Sequence, residues 1–88
     1  MKMIVAIIRD SDNDPVTKAL IDADFRVTRI ASTGGFLRHG MSTLMIGVED
    51  EKVDAAIEVV RESTQPEVEP GIKRATLFVL PVNNFTQI

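Results

Sequence analysis

The 88-residue chain contains no cysteine and a single histidine, His39. Without cysteine there is no disulfide framework, no thiolate metal site and no thiol nucleophile. One histidine on a glycine-flanked loop reads as a solvated side chain and gives a metal little to bind to. No pattern of serine or threonine assembles a nucleophile with a base and an orienting acid, so the residues point away from an enzyme. Basic excess is missing too: 10 Lys and Arg stand against 13 Asp and Glu, a formal net charge of −3. A binder of nucleic-acid polymers would show a basic stripe. The opening apolar run, MKMIVAII, is too short to cross a membrane and is followed at once by Arg9 and Asp10. No Ala-x-Ala-like cleavage site follows it, so a signal peptide is not expected and the cytoplasm is the expected location.

What is present suits an ordinary globular protein, with 44% apolar and 26% charged residues. The length predicts one domain over 1–88. A domain this short buries a smaller share of its surface than a larger one, and shared burial in an oligomer would help it.

Met3 to Ile8 is an Ile- and Val-rich run that predicts a strand buried on both faces. Asp14 before Pro15 predicts a helix start, with an N-cap carboxylate and then proline at the first helical position. Val16, Ala19, Leu20 and Ala23 follow as one apolar stripe, and the helix is expected to end near Asp24. Phe25 to Ala31 alternates as a second strand and Thr43 to Val48 reads as a third. Gly47, inside that third strand, marks a bulge or a close approach to the backbone. Glu49-Asp50-Glu51 opens a second helix with the stripe Val53, Ala56, Ile57, Val60. Ser63 to Gly71, with two prolines, predicts a loop, and Ala75 to Val82 the last strand, with Pro81 at a sheet edge or past the ladder. The order β-α-β-β-α-β predicts an α+β, ferredoxin-like fold: a four-stranded antiparallel sheet with two helices on one face. The other face stays apolar and needs a partner, which predicts an oligomer formed over the sheet.

Three segments imitate functional motifs. Asp10-Ser-Asp12-Asn-Asp14 begins like a calcium loop, but the sixth and twelfth places are Pro15 and Ile21 rather than Gly and Glu. It reads as a polar turn capping a helix. Gly35 and Gly40 have P-loop spacing, but Met41 stands where the Lys belongs and a strand follows instead of a helix. Two readings of this segment stay open. Gly34 and Gly35 can expose backbone N–H groups to an anion near Arg26, Arg29 and Arg38, or the segment is a long hairpin loop with solvated arginines. Phe36 and Leu37 are the third feature: two apolar side chains in a glycine loop suit packing on a neighbouring subunit or flanking a flat ligand such as a base.

The stretches KMIVAIIRD, FRVTRIASTGGFLRHGMSTLMIGVEDEKVD and ATLFVLPVNNF, which together span nearly the whole chain, resemble the PII-like cyclic-di-AMP receptor family of the DarA or PstA type. The resemblance implies a homotrimer of ferredoxin-like subunits. It further implies cyclic-di-AMP sites in the clefts between neighbouring subunits, no catalysis, no cofactor beyond that ligand, and a downstream protein partner. Carried over by position, it implies ligand contacts at Arg26, Thr28, Gly35, Phe36, Leu37 and Gly47, and a polar residue near the ligand at Asn84. In that assignment Gly47 leaves room for a purine edge, Phe36 and Leu37 sandwich a base, and Arg26 with loop N–H groups meets phosphate. This chain departs from the family pattern in two places. The family's Asn-Thr-Thr after the loop glycine is Met41-Ser42-Thr43 here, which puts Met41 at an implied nucleotide-binding position, and a methionine cannot pair with an adenine edge as asparagine does. The family's long loop before the last strand is the short STQPEVEPGIKR. The alternatives are a trimer of the same fold sensing another nucleotide or anion, and a structural or interaction trimer without a small ligand.

Overall fold

The computed structural model describes residues 1–32, 40–66 and 73–88. Its elements are β1 (Lys2–Arg9), α1 (Asn13–Asp22), β2 (Arg26–Ser32), β3 (Met41–Val48), α2 (Val53–Ser63) and β4 (Ala75–Pro81). One 3-10 turn (Asp10–Asp12) precedes α1 and another (Asp50–Lys52) precedes α2. The strands form one antiparallel sheet in the order β2-β3-β1-β4, the ferredoxin-like arrangement expected from the element order.

Alternation sets the layers. On β1, Ile4, Ala6 and Ile8 are fully buried, and their partners across the ladder are Ile46, Leu44 and Ser42. Val16 and Leu20 of α1 and Ala56 and Val60 of α2 complete this core. Met3, Val5 and Ile7 point the other way and are only half-buried. The expected two-sided burial of β1 therefore holds on the helix side alone in a single chain, because both helices pack on one face. On the open face of the edge strand β4, Phe78 and Leu80 remain 52% and 43% exposed. Pro81 ends β4 opposite Lys2. An edge position tolerates it because proline has no N–H to give to a ladder.

The start of α1 differs from expectation. The helix begins at Asn13, so Pro15 sits in its first turn, where N–H groups have no intrahelical partner anyway. Asp12, not Asp14, is the N-cap, and it makes no side-chain cap bond. Its carboxylate is fully buried and already engaged by Arg9 and by the backbone N–H of Gln65. The helix ends near Asp24 as expected, by an identifiable device. Asp24 adopts φ 72°, its N–H bonds the Ile21 carbonyl, and the Phe25 N–H reaches back to Leu20 at 2.9 Å. This is a Schellman closure with aspartate at the position glycine usually fills.

β3 starts two residues earlier than the sequence pattern suggested, at Met41. A bulge does occur, but in β2: the register shifts between Arg29 and Ala31, leaving Ile30 as the extra residue. Gly47 itself pairs regularly with Met3 and Arg26.

Candidate functional site

β2 and β3 bring three of the implied residues together. Arg26 and Gly47 are direct partners across the ladder, and Thr28 faces Met45 two pairs further along. Period-two alternation puts Arg26, Thr28, Met45 and Gly47 all on the open face. There they line a cavity of about 230 Å³ with Met1, Met3 and residues of the C-terminal tail. A contiguous cavity of about 400 Å³ shares Arg26 and Gly47 and extends to Asp24, Glu49 and Lys52, so charges of both signs surround the arginine.

Gly47 has a definite role in this geometry. A Cβ placed there would lie 3.3 Å from the Met1 Cε and would project into the cavity. The missing side chain is what lets another group approach the backbone of β3. The register is regular at Gly47, so no bulge falls there, and the group that comes close to it within the chain is the Met1 side chain.

The tail after β4 closes the cavity. The Val82 N–H donates to the Met1 carbonyl at 3.1 Å, which continues the β1–β4 pairing one residue past Pro81. Phe85 and Gln87 then line both cavities. Asn84 is exposed and lines neither. Sequence reasoning thus chose a polar residue of the tail one position before the aromatic one that faces the cleft. Phe85 is 60% exposed, unusual for a phenylalanine unless something covers it, and Gln87 carries both a donor and an acceptor. An apolar residue followed at i+2 by an amide was the available signal, since extended chain sends i and i+2 to the same side.

The N-terminal ammonium donates to Asp50 at 2.8 Å. This hydrogen bond, supported by the charges of the ammonium and Lys2, holds the Asp50 carboxyl below its ordinary value of 3.8. The pair pins Met1 next to the cavity it lines.

Met41 is elsewhere. It begins β3 opposite Arg9, on the same open face as Gly47 but six residues away along the strand, about 20 Å by the rise of an extended chain. Gly34, Gly35, Phe36, Leu37, Arg38 and His39 lie outside the described residues, as does most of the loop expected after α2. The other flank of that hairpin is well anchored. Gly40 takes φ +86°, its carbonyl accepts from the Asp10 N–H at 2.7 Å, and the buried Ser42 hydroxyl donates to the Asp10 carboxylate.

Among the described residues no cluster of three or more His, Cys, Asp or Glu has the geometry to hold a metal ion, and no helix is long and apolar enough to cross a membrane. What the site offers is an open-faced cleft with one guanidinium, a threonine hydroxyl, an aromatic ring, an amide and a bare stretch of backbone. That set suits binding of a flat, anionic ligand.

Comparison with known proteins agrees on fold and family. A crystal structure of a protein from Pediococcus pentosaceus, described as functionally unknown, shares 34% identity, covers 99% of this chain and 96% of its own, and superposes with a TM-score of 0.80. The profile of the cyclic-di-AMP receptor family matches residues 1–70, which span β1 through α2 and include Arg26, Thr28 and Gly47. With most of its length matched in that way, the chain belongs to the cyclic-di-AMP receptor family.

Proposed function

We propose that this protein is a cytoplasmic, non-catalytic signal receptor of the DarA or PstA type that binds cyclic-di-AMP, or a related adenine nucleotide, between the subunits of a homotrimer. The observation that carries the reading is the cleft in which Arg26, Thr28 and Gly47 meet Phe85 and Gln87. Each has a role in holding an adenine dinucleotide. Arg26 supplies a fixed cation for phosphate. Gly47 lets a purine edge approach the strand, Phe85 offers a stacking surface, and the Gln87 amide can pair with the adenine edge. The family resemblance adds Gly35, Phe36 and Leu37, in the connection between β2 and β3, as proposed base contacts.

Support for a subunit-boundary site comes from the open face. Phe78 and Leu80 are too exposed for large apolar side chains with no partner, and they share that face with the Arg26 cleft through β1. Covering this face with further copies of the chain buries them and walls in the cleft.

One observation favours a second reading. Met41 stands where an adenine-reading asparagine belongs in the family pattern, and its thioether is at best a weak acceptor. The alternative is a receptor of the same architecture tuned to a different nucleotide or anion.

Isothermal titration with cyclic-di-AMP, alongside other adenine nucleotides, tests both. Saturable heat with cyclic-di-AMP and a trimeric mass by sedimentation are expected. No heat at high micromolar ligand sinks the first reading, and heat with another nucleotide would establish the second. A monomeric mass would remove the interface site altogether.

A further inference from the structure

The turn Asp10-Ser11-Asp12, which in the sequence imitates a calcium loop, has other work in the structure. Its two carboxylates hold two chain segments that are far apart in sequence. Asp10 holds the start of β3: its N–H donates to the Gly40 carbonyl at 2.7 Å, and its carboxylate accepts from the buried Ser42 hydroxyl. Asp12 holds the chain beyond α2: its Oδ1 accepts the Gln65 N–H at 3.1 Å. Arg9 closes the second grip. Its guanidinium lies 2.9 Å from Asp12 Oδ2, and its Nη2 donates to the Gln65 carbonyl at 2.6 Å. Both backbone polar groups of Gln65 are thus clamped, one by each member of a single ion pair. The backbone of Arg9 is at the same time paired with Met41.

These three residues therefore sit between the exit of the β2–β3 connection and the entry of the α2–β4 connection. The turn that carries them is short and hydrogen-bonded, with the Asn13 N–H closing onto the Asp10 carbonyl. A 3-10 turn rises only about 2 Å per residue, so Asp10 cannot shift without moving Asp12. Asp12 is fully buried and charged, and a buried carboxylate that loses its partners is costly, so it keeps its bonds and carries them along.

We propose that Asp10 and Asp12 are positioning residues that couple the two connections, so that a displacement at Gly40–Ser42 is felt at Gln65 and the reverse. The coupling rests on hydrogen bonds alone and not on the ligand reading above. If the glycine segment does hold the ligand, this turn is the route by which occupancy reaches the α2–β4 side.

Amide hydrogen exchange on the ligand-free protein tests the coupling. Ser42→Ala removes the hydroxyl that engages Asp10, and Ser42 makes no hydrogen bond to Gln65 among the described residues. Exchange at the Gln65 N–H is expected to accelerate by about tenfold beyond any change at core amides of β1 and β3, the scale of losing a hydrogen bond to a charged group. In the reverse direction, Asp12→Asn is expected to speed exchange at the Asp10 N–H. Should Ser42→Ala fail to fold, Asp10→Asn keeps the shape, removes the charge and is expected to act in the same direction. A Gln65 rate equal to wild type, or raised only as much as the core, overturns the proposal. Such a result would leave the ligand reading untouched.

Discussion

Filling the space above Gly47 separates binding from folding more cleanly than any other change at the site. Gly47 lies within a regular strand, paired on both sides, and its backbone is not in the left-handed region, so alanine fits there without strain. Alanine should in fact recover part of the 0.5–1 kcal/mol (roughly) that a mid-strand glycine costs. Against this stands one close contact, the added Cβ at 3.3 Å from the Met1 Cε, the far end of a flexible side chain that can swing aside. The two effects nearly cancel, and the midpoint of urea unfolding is expected to move by less than about 1 kcal/mol equivalent. Binding is different. The methyl group points from the open face into the cavity shared with Arg26 and Thr28. A ligand packed against the bare backbone must back away or distort, at an overpacking cost of about 1–3 kcal/mol, which is roughly a 5- to 150-fold weaker Kd. Titration of wild type and Gly47→Ala with cyclic-di-AMP, beside unfolding curves of both, reads the two quantities separately. Equal affinities would refute the reasoning and place the ligand elsewhere. Weaker binding with a matching loss of stability would show that the glycine serves packing instead.

Other consequences can be checked at single positions. Asp12→Ala strips the Arg9 guanidinium and the Gln65 N–H of their acceptor and should destabilise by about 3 kcal/mol in urea unfolding; a loss under 0.5 kcal/mol (approximately) would mean that water replaces the carboxylate. Asp24→Gly, at φ 72°, relieves a left-handed aspartate and should stabilise by about 0.5–1 kcal/mol, visible as a higher Tm; no gain would mean that the aspartate side chain compensates. Asp50 should titrate below 3.8 by carboxyl NMR, and the midpoint should rise when the terminal amine is acetylated. Because its folded-state value is lowered, its contribution to stability is present above about pH 4 and lost as pH falls through the lowered value; a midpoint unmoved by acetylation would show that the ammonium is not the cause. Phe78→Glu puts a charge on the open face and should lower the sedimentation mass of any oligomer formed over the sheet, whereas an unchanged mass would exclude that face as the contact.

Much of the architecture was legible in one dimension. The 3.6-residue stripes on α1 and α2 arise from burial on a single face and are recorded directly in the sequence, whereas the continuous apolar run of β1 marks a strand without showing that only its helix side is buried in one chain. The element order then leaves few topologies, and the ferredoxin-like one followed. Element ends were less legible. Asp14-Pro15 looked like a cap, but Asp12 and Arg9 close on Gln65, 53 residues further along from Asp12, and no local signal reports so distant a partner. The bulge at Ile30 was likewise hidden, because nothing in β2 alone shows which residue lacks an opposite number in β3.

The site divides in the same manner. Arg26, Thr28 and Gly47 became candidates through sequence resemblance; that they form one wall follows from the β2–β3 register, since a slip of one residue in β2 would turn Arg26 and Thr28 to the helix side. The tail shows the limit most plainly. Asn84 came from the family resemblance, whereas it is Phe85 and Gln87 that line the cleft, a placement of the tail that no local pattern reports. Sequence by itself determined which helix faces are buried, which residues are charged and in what order the elements come, because those depend on side-chain type and spacing. Only the tertiary structure decided which open-face residues meet and how the Asp10–Asp12 turn spans two connections, because those depend on register and on hydrogen bonds between segments that the chain order keeps apart.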